Sequence, residues 1–338
     1  MKDIDSAVEQ QLKGAVSVAH NSIDRPGVLC DLGNSYLVKF ELFGNIQDLE
    51  SAFKHLLELV ASIPLNNPNR SAVHTNLGKS YLLRFERFGA MKDIDSAVEQ
   101  QLKAAASVPP NSVHRPQIFL NLGNSYQSRF EKFENVNDLE SAFKYQLEIL
   151  ASIPLNNPNR PAILNDLGTS YALRFKQFGK KDIDLAIKQK LEAVASAPTE
   201  SRKRAKYLND LGTAYSNRFT HSRELNDLDS TISLQLEAVA SSLPNSAERD
   251  AYLHNLGLSY LKRFEHFDHV KDIKSAIERF VEAVAAIPLD GSKRPEYLSS
   301  LGASYGSRFL RFGEVKDIDL AIKQQLEAVT STPLESAE

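Results

Sequence analysis

The sequence predicts an all-α protein in which one short unit is repeated along the chain. A Leu-Gly pair recurs every 45 or 44 residues, from Gly33 to Gly302. A tyrosine stands three residues after each of these glycines, and a phenylalanine four residues after each tyrosine, as at Tyr36 and Phe40. No segment has the two-residue alternation of a half-buried strand, so we expect no sheet.

The first helix of each unit is predicted by apolar residues at steps of three and four. In the first copy it runs from about Pro26 to Phe43, and Leu29, Leu32, Tyr36 and Phe40 fall on one face. A proline near the start is compatible with this helix, because the first turn does not use that backbone N–H. Later copies begin near Pro116, Pro161 and Pro295.

The second helix of each unit is predicted to open at an aspartate, which can cap free backbone N–H groups and suits the positive end of the helix dipole. These aspartates are Asp48, Asp93, Asp138, Asp182, Asp227, Asp272 and Asp317. A proline close after the helix marks its end in most copies, because proline cannot continue a helix. These prolines include Pro64, Pro109, Pro154, Pro198, Pro288 and Pro333.

The sequence also has a second, longer period of two units. Residues 1–13 are identical to residues 91–103, and the segment ASIPLNNPNR occurs at both 61 and 151. Odd and even units therefore differ slightly, which indicates duplication of a two-unit block.

Composition limits the function classes. The 338 residues include 40 basic and 43 acidic side chains, for a net charge of −3, which argues against a nucleic-acid groove. No apolar run is long enough to span a membrane, and the segment after Met1 lacks the apolar core of a secretory signal. The lone cysteine, Cys30, excludes an internal disulfide. We therefore expect a cytoplasmic protein without a nucleic-acid or membrane partner.

The motifs resemble the tetratricopeptide (TPR) repeat family. Leu32-Gly33-Asn34-Ser35-Tyr36 matches that family's L-G-x-x-Y, and Ala186, Ala193 and Pro198 match its closing A…A…P. The resemblance implies a right-handed α-solenoid of helix-turn-helix repeats, whose small residues let paired helices approach closely. We expect a single solenoid over residues 1–338. It would comprise a half-repeat at 1–20 and then seven helix pairs of about 45 residues, fifteen helices in all.

The chain departs from that family in its period. The family repeats every 34 residues, whereas this chain repeats every 45, with an added R-F-E-x-F-G segment before the second helix. The long variant is similar to fungal TPR arrays that adjoin CHAT or NTPase signalling domains, although no such domain is present among these residues. A 45-residue helical period is also compatible with HEAT or armadillo repeats, which is the alternative fold.

Catalytic and metal-binding motifs are weak. No phosphate-binding loop occurs, and the abundant Asp and Glu residues recur at caps and solvent faces. Cys30 occupies a slot that other copies fill with other residues, so it does not indicate a nucleophile. His266 and His269 form the one close histidine pair, which is short of the three or four ligands of a stable metal site. We expect no enzyme activity, no metal and no cofactor.

An arginine precedes the recurring phenylalanine in six copies: Arg84, Arg129, Arg174, Arg218, Arg263 and Arg308. A basic ladder for a ligand is one interpretation. The favoured one is an ion pair with the acidic residues at the start of the second helix, because both groups recur along the chain.

Specificity is expected where copies differ. In the resembling family the first helices line a concave groove, which implies peptide-binding residues at Asn34, Asn76, Lys79, Asn121, Asn124, Asp166, Asp210, Asn255, Leu37 and Leu82. An asparagine amide offers both a donor and an acceptor and can bind the backbone of an extended peptide. The alternative is that these side chains bridge neighbouring helices. Capture of a C-terminal carboxylate is doubtful, because Lys79 and Lys206 are the only basic candidates.

Two functions are predicted as alternatives. The first is a non-catalytic scaffold that binds a protein or peptide in the groove. The second is an assembly or spacer arm, beside a signalling or protease domain, that associates head-to-tail with itself. The second follows from the apolar residues expected to be uncovered at the two ends, such as Ile4 and Leu12 at one end and Ile322 and Leu326 at the other.

Overall fold

The computed structural model describes residues 25–331 apart from short gaps, together with Gln10 and Lys13. The gaps are residues 65, 66, 68, 110, 111, 180, 181, 202, 244, 245, 247 and 290. The predicted half-repeat at residues 1–20, which includes Ile4 and Leu12, therefore lies outside the described residues except at Gln10 and Lys13. Pro333 lies outside them as well.

All regular secondary structure in the described part of the chain is helical, which confirms the all-α prediction. The first helices of the pairs are α1 Arg25–Phe43, α3 Arg70–Phe88, α5 Arg115–Phe133, α7 Arg160–Phe178, α9 Arg204–Ser222, α11 Arg249–Phe267 and α13 Arg294–Phe312. The second helices are α2 Ile46–Ser62, α4 Met91–Ala106, α6 Val136–Ser152, α8 Asp182–Ser196, α10 Leu225–Ser241, α12 Val270–Ala286 and α14 Val315–Ser331. The predicted bounds of the first helices are correct to within one or two residues.

The chain divides into two compact units, Met1–Arg174 and Phe175–Glu338. Within each unit a first helix packs against its own second helix and against the second helix of the preceding pair. Successive first helices also touch, α1 with α3 and α3 with α5 in the N-terminal unit, and α9 with α11 and α11 with α13 in the C-terminal unit. Successive second helices make no such contact among the described residues. The first helices of each unit therefore form one layer and the second helices another; the single-domain arrangement stays a prediction.

The residue that follows each first helix has a positive φ. Gly44, Gly89 and Gly313 hold φ values of 69°, 72° and 75° there. The N–H of Gly89 donates to the Phe85 carbonyl at 2.6 Å, which closes the last turn of α3. Glu134 and Arg223 occupy the same slot at 55° and 56° without the freedom of glycine. The R-F-E-x-F-G segment thus lengthens the first helix and then ends it.

The predicted role of the aspartates as helix caps is wrong for most copies. The second helices begin two residues earlier, apart from α8, whose described residues start at Asp182 because 180 and 181 lie outside the described part of the chain. In α2 and α6 the cap is an asparagine: Asn45 Oδ1 accepts from the Gln47 N–H at 3.0 Å, and Asn135 Oδ1 accepts from the Asn137 N–H at 3.1 Å. Asp48 instead lies in the first turn and is buried.

The predicted ion pair is confirmed in five copies, where a first-turn aspartate accepts hydrogen bonds from Arg84, Arg129, Arg218, Arg263 or Arg308. Arg129 donates to Asp138 through Nε at 2.9 Å and Nη2 at 2.6 Å, and Asp138 is buried. Arg129 also donates to Asp95 of the preceding second helix at 2.9 Å. The Arg84 guanidinium, in turn, lies 4.3 Å from the centroid of the Phe53 ring on the preceding second helix. Arg84 and Arg129 therefore each tie two helix pairs together.

The Leu-Gly glycines mark close contacts between paired helices. A Cβ atom on Gly78 would lie 2.7 Å from Gln101 Cγ of α4, and one on Gly257 would lie 2.7 Å from the Phe280 ring of α12. Ala97, whose carbonyl oxygen lies against Gly78, is fully buried. At Gly78 and Gly257 the packing therefore leaves no room for a side chain.

Candidate functional site

The predicted groove residues lie on the first helices. In the N-terminal unit we define the first-helix face as the residue before each Leu-Gly leucine and the residue two after that leucine. It comprises Asp31, Asn34, Asn76, Lys79, Asn121, Asn124, Asp166 and Thr169. Because successive first helices of this unit touch, these side chains share one side of the helix layer.

Several of these polar side chains bridge one first helix to the next. Lys79 Nζ donates to Glu41 Oε2 at 2.8 Å, from α3 to α1. The Asn124 amide, oriented by its partners, donates to Asp166 Oδ2 at 3.1 Å, from α5 to α7. Asn76 Nδ2 lies 3.9 Å from Cys30 Sγ, a weak contact between α3 and α1. The contacts of these residues are therefore bridges between neighbouring helices, which is the alternative to peptide binding.

Other amides on the face keep hydrogen-bonding capacity. Asn34 is exposed and has no partner within the described residues. Asn121 Oδ1 accepts from Gln117 Nε2 at 3.0 Å on the same helix, and its own amide hydrogens meet no acceptor in the part of the chain that is described. Asp31 is also exposed. The first-helix face therefore offers unused donors and acceptors beside a row of interhelical bridges.

The prediction that Leu37 and Leu82 form apolar groove walls is wrong. Leu37 is 0% exposed and packs with Leu49 and Phe53 of α2. Leu82 is 9% exposed and packs with Ile94 of α4. Each leucine follows the glycine of its Leu-Gly pair by four residues, which is about one helical turn. It therefore shares the side of the helix that meets the second helix of its own pair.

The corresponding face of the C-terminal unit is also bridged. Asn255 Nδ2 donates to Asn209 Oδ1 at 3.1 Å, from α11 to α9, and Asp210 beside Asn209 in the sequence is half-buried. Lys262 Nζ donates to Ser216 Oγ at 3.0 Å between the same helices. Sequence reasoning missed Asn209 and Lys262. The signal that could find them is their separation of one repeat plus one residue, which places both partners at facing edges of neighbouring first helices.

His254 has a strongly lowered pKa on this side of the C-terminal unit. Its ring stacks on the Tyr297 ring with centroids 4.2 Å apart, and Nε2 lies 2.9 Å from Ser300 Oγ. Burial lowers the pKa of His254 to about 4, so the ring is neutral near pH 7. Tyr297 donates its hydroxyl to Asp250 at 3.1 Å, and burial raises the pKa of that phenol. The His254 ring also packs against Phe280, so this cluster joins α11, α12 and α13.

The described residues form neither a metal-binding cluster nor a membrane-spanning helix. No group of three or more His, Cys, Asp and Glu side chains there could hold a metal ion. His266 instead contacts Arg223 at 3.1 Å and packs edge-on against the Phe219 ring. No described helix is long and apolar enough to cross a bilayer.

Comparison with known proteins identifies the fold class. No protein family model and no curated protein matches the sequence. Among solved structures, the APC/C hetero-tetramer Cut9-Hcn1 aligns with a TM-score of 0.56 at 15% identity, over 94% of this chain and 46% of that one. The human IFIT1 dimer with PPP-AAAA aligns with a TM-score of 0.52 at 14% identity, over 96% and 75%. A thermophilic TPR protein of Thermus thermophilus aligns at 15% identity with a TM-score of 0.47, over 66% and 98%.

These similarities define the chain as an all-α protein with the right-handed solenoid fold of TPR-like helix pairs. The identities are low, so the likeness concerns the fold alone. The chain spans less than half the length of the Cut9-Hcn1 chain that it matches.

Proposed function

We propose that the protein is a non-catalytic interaction scaffold that binds an extended protein or peptide segment on the first-helix face of the N-terminal unit. The observation that carries this proposal is a pair of amides on this face, Asn34 and Asn121. Their amide hydrogens have no hydrogen-bond acceptor among the described residues. An extended backbone presents alternating N–H and C=O groups, and an asparagine can satisfy both.

The charges on this face favour a neutral or basic segment over an anionic one. Asp31 is exposed, Asp166 is half-buried, and Lys79 is already paired with Glu41 at 2.8 Å. A terminal carboxylate would have to displace Glu41 from Lys79 and would meet other carboxylates. The proposed ligand is therefore an internal peptide segment rather than a free C-terminus.

The bridges between first helices support the proposal in a second way. Lys79–Glu41 ties α3 to α1, and Asn124–Asp166 ties α5 to α7, before any ligand arrives. A preordered surface loses less conformational entropy on binding. The same proposal includes a cytoplasmic location, no nucleic-acid ligand, and a similarity to fungal TPR arrays that adjoin CHAT or NTPase signalling domains.

A selection from a random-sequence peptide library on the whole chain tests this function. We expect selected peptides to protect backbone amides of α1, α3 and α5 from hydrogen exchange. The Asn34→Ala/Asn121→Ala double variant should bind them about tenfold more weakly, as expected for the loss of two hydrogen bonds of about 0.5–1.5 kcal/mol each.

The matched control is Glu99→Ala on α4, an exposed residue of a second helix in the same unit. It should leave the affinity unchanged. Protection confined to second helices, or equal binding by the double variant, would refute the proposed site.

The alternative function, an arm that associates head-to-tail, is supported by the exposure of Ile322 and Leu326 on α14. It predicts that the mass of the protein rises with concentration in light scattering and that Leu326→Glu abolishes the rise. A constant monomer mass contradicts it.

A further inference from the structure

One junction between neighbouring first helices of the C-terminal unit carries cationic side chains that the fold does not neutralise. We define the α9–α11 cationic patch by Arg223, which follows α9, and by Lys262 and His266 of α11. Lys262 and His266 are about one helical turn apart and therefore share a side of α11. Arg223 Nη1 donates to His266 Nε2 at 3.1 Å and connects the two sides of the junction.

The two cations of the patch lie close enough to repel each other. Burial, followed by the positive charge of Arg223, lowers the pKa of Lys262, and the charge of Glu265 offsets this only in part. Neither cation forms an ion pair with Glu265, with Glu224 or with any other carboxylate in the part of the chain that the structure describes. The patch therefore holds two positive charges without an anionic partner among those residues.

The next junction of the same unit shows how the same slots are matched elsewhere. Between α11 and α13 the slot of Arg223 holds Asp268, and the slot of His266 holds Arg311. Asp268 accepts two hydrogen bonds from Arg311, at 2.9 Å from Nε and 2.8 Å from Nη2, and this contact lowers the pKa of Asp268. Between α9 and α11 both slots hold nitrogen groups, and neither of them is anionic.

A second pair of slots differs between the two junctions in the same sense. Between α11 and α13, Ser307 Oγ donates to Glu265 Oε1 at 3.4 Å. The corresponding slots between α9 and α11 hold Lys262 and Thr220. Lys262 Nζ donates to Ser216 Oγ at 3.0 Å instead. The acidic groups of one junction are therefore replaced by a neutral and a basic side chain at the other.

We propose that the α9–α11 cationic patch binds a phosphate monoester, with the phosphoryl group between Arg223 and Lys262. A phosphate monoester carries nearly two negative charges at neutral pH, which matches the two cations, whereas a carboxylate would neutralise one of them. A guanidinium can donate two parallel hydrogen bonds to one phosphate, and an ammonium can add a third. This site lies in the C-terminal unit and does not depend on the function proposed for the first-helix face.

The patch retains hydrogen-bond donors for such an anion. Lys262 uses one of its three N–H groups on Ser216, and Arg223 uses one of its five on His266. Because a guanidinium only donates, His266 Nε2 is the acceptor, and a neutral His266 ring then carries its hydrogen on Nδ1. The remaining donors come from both sides of the junction, as the several oxygens of a tetrahedral phosphate require.

Titration of the whole chain with inorganic phosphate, at constant pH and ionic strength, tests the proposal. The NMR signals of the His266 ring should shift and saturate, with a Kd tighter than about 10 mM. Arg223→Asp should weaken binding about tenfold or more, because it removes one cation and places a carboxylate beside Lys262. The backbone accepts this change, since Asp268 holds a φ of 51° in the same slot.

The matched control is Arg311→Gln, which removes an arginine from the next junction, where Asp268 already binds the guanidinium. It should leave phosphate binding unchanged. Lys262→Gln should weaken binding about fivefold, because one cation of the patch is lost. Arg223 and Arg311 are exposed and Lys262 is half-buried, so circular dichroism melting should show all three variants folded like the parent chain.

A pentapeptide of alanine with a central phosphoserine distinguishes two sources of the phosphate. Tighter binding of this peptide than of inorganic phosphate supports the proposal and makes a phosphorylated side chain the ligand. Equal or weaker binding of the peptide supports the proposal with a small free phosphate as the ligand.

Three results would overturn the proposal. The first is no saturable shift with either probe at concentrations around 10 mM. The second is an equal loss of binding in Arg311→Gln and Arg223→Asp, which would indicate a general effect of net charge. The third is the same response to acetate as to phosphate at equal ionic strength, which would show that the patch does not select a doubly charged anion.

Discussion

Replacing Asp272 by alanine removes the carboxylate that accepts two hydrogen bonds from Arg263, at 2.6 Å from Nε and 2.9 Å from Nη2. The Asp272 and Arg263 side chains are 6% and 17% exposed, so water replaces the lost partner poorly. Breaking a buried ion pair costs about 3–5 kcal/mol. Arg263 retains its hydrogen bond to Asp229 at 2.6 Å. We therefore expect the free energy of unfolding to fall by about 2–3 kcal/mol.

The assay is urea unfolding followed by far-ultraviolet circular dichroism, with Asp229→Ala as the matched control. Asp229 binds the same guanidinium at a similar distance, but its side chain is 49% exposed. We expect its loss to cost about 0.2–1 kcal/mol. Equal destabilisation by the two variants would refute the claim that burial of the first-turn aspartate, rather than the ion pair as such, gives this contact its energy.

Three further predictions follow from single residues. Gly257→Ala places a Cβ atom 2.7 Å from an aromatic ring and should lower the stability of the protein by about 1–3 kcal/mol in thermal melts. In Gly123→Ala the Cβ would lie 3.5 Å from its nearest neighbour, so this variant should be as stable as the parent chain or more stable. Glu134→Gly relieves a left-handed residue with φ of 55° and should stabilise by about 1 kcal/mol in urea unfolding. The pKa of His254 is lowered to about 4, so its contribution to stability is present above the unfolded-state pKa of about 6.5 and is lost as the pH falls towards 4. His254→Gln should flatten the stability profile over that range.

The helices were predictable because their apolar periodicity and flanking prolines are local signals. The starts of the second helices were less predictable. The aspartate is a strong capping residue in general, but in most copies of this repeat the helix opens two residues earlier. The aspartate is then buried by an arginine nine residues before it, as Asp93 is by Arg84. Only the recurrence of both residues pointed to that pair.

The candidate site was predictable at the level of helices and not of individual side chains. Leu37 and Leu82 were expected to line the groove, yet the packing of each pair places them in the core. The bridges Lys79–Glu41 and Asn255–Asn209 join neighbouring repeats. Whether an asparagine meets a neighbour or solvent depends on the approach of two helices, which the sequence of one repeat does not contain.

The affinity of a library-selected peptide for the parent chain and for the Asn34→Ala/Asn121→Ala variant, measured alongside the melting temperature of each, tests the proposed scaffold function most directly. Asn34 is exposed and Asn121 is half-buried, so truncation should change stability by no more than about 0.5 kcal/mol each. The predicted result is a roughly tenfold loss of affinity with the melting temperature retained. Unchanged affinity, or a loss of affinity that only accompanies unfolding, would contradict the assignment of the first-helix face as the binding surface.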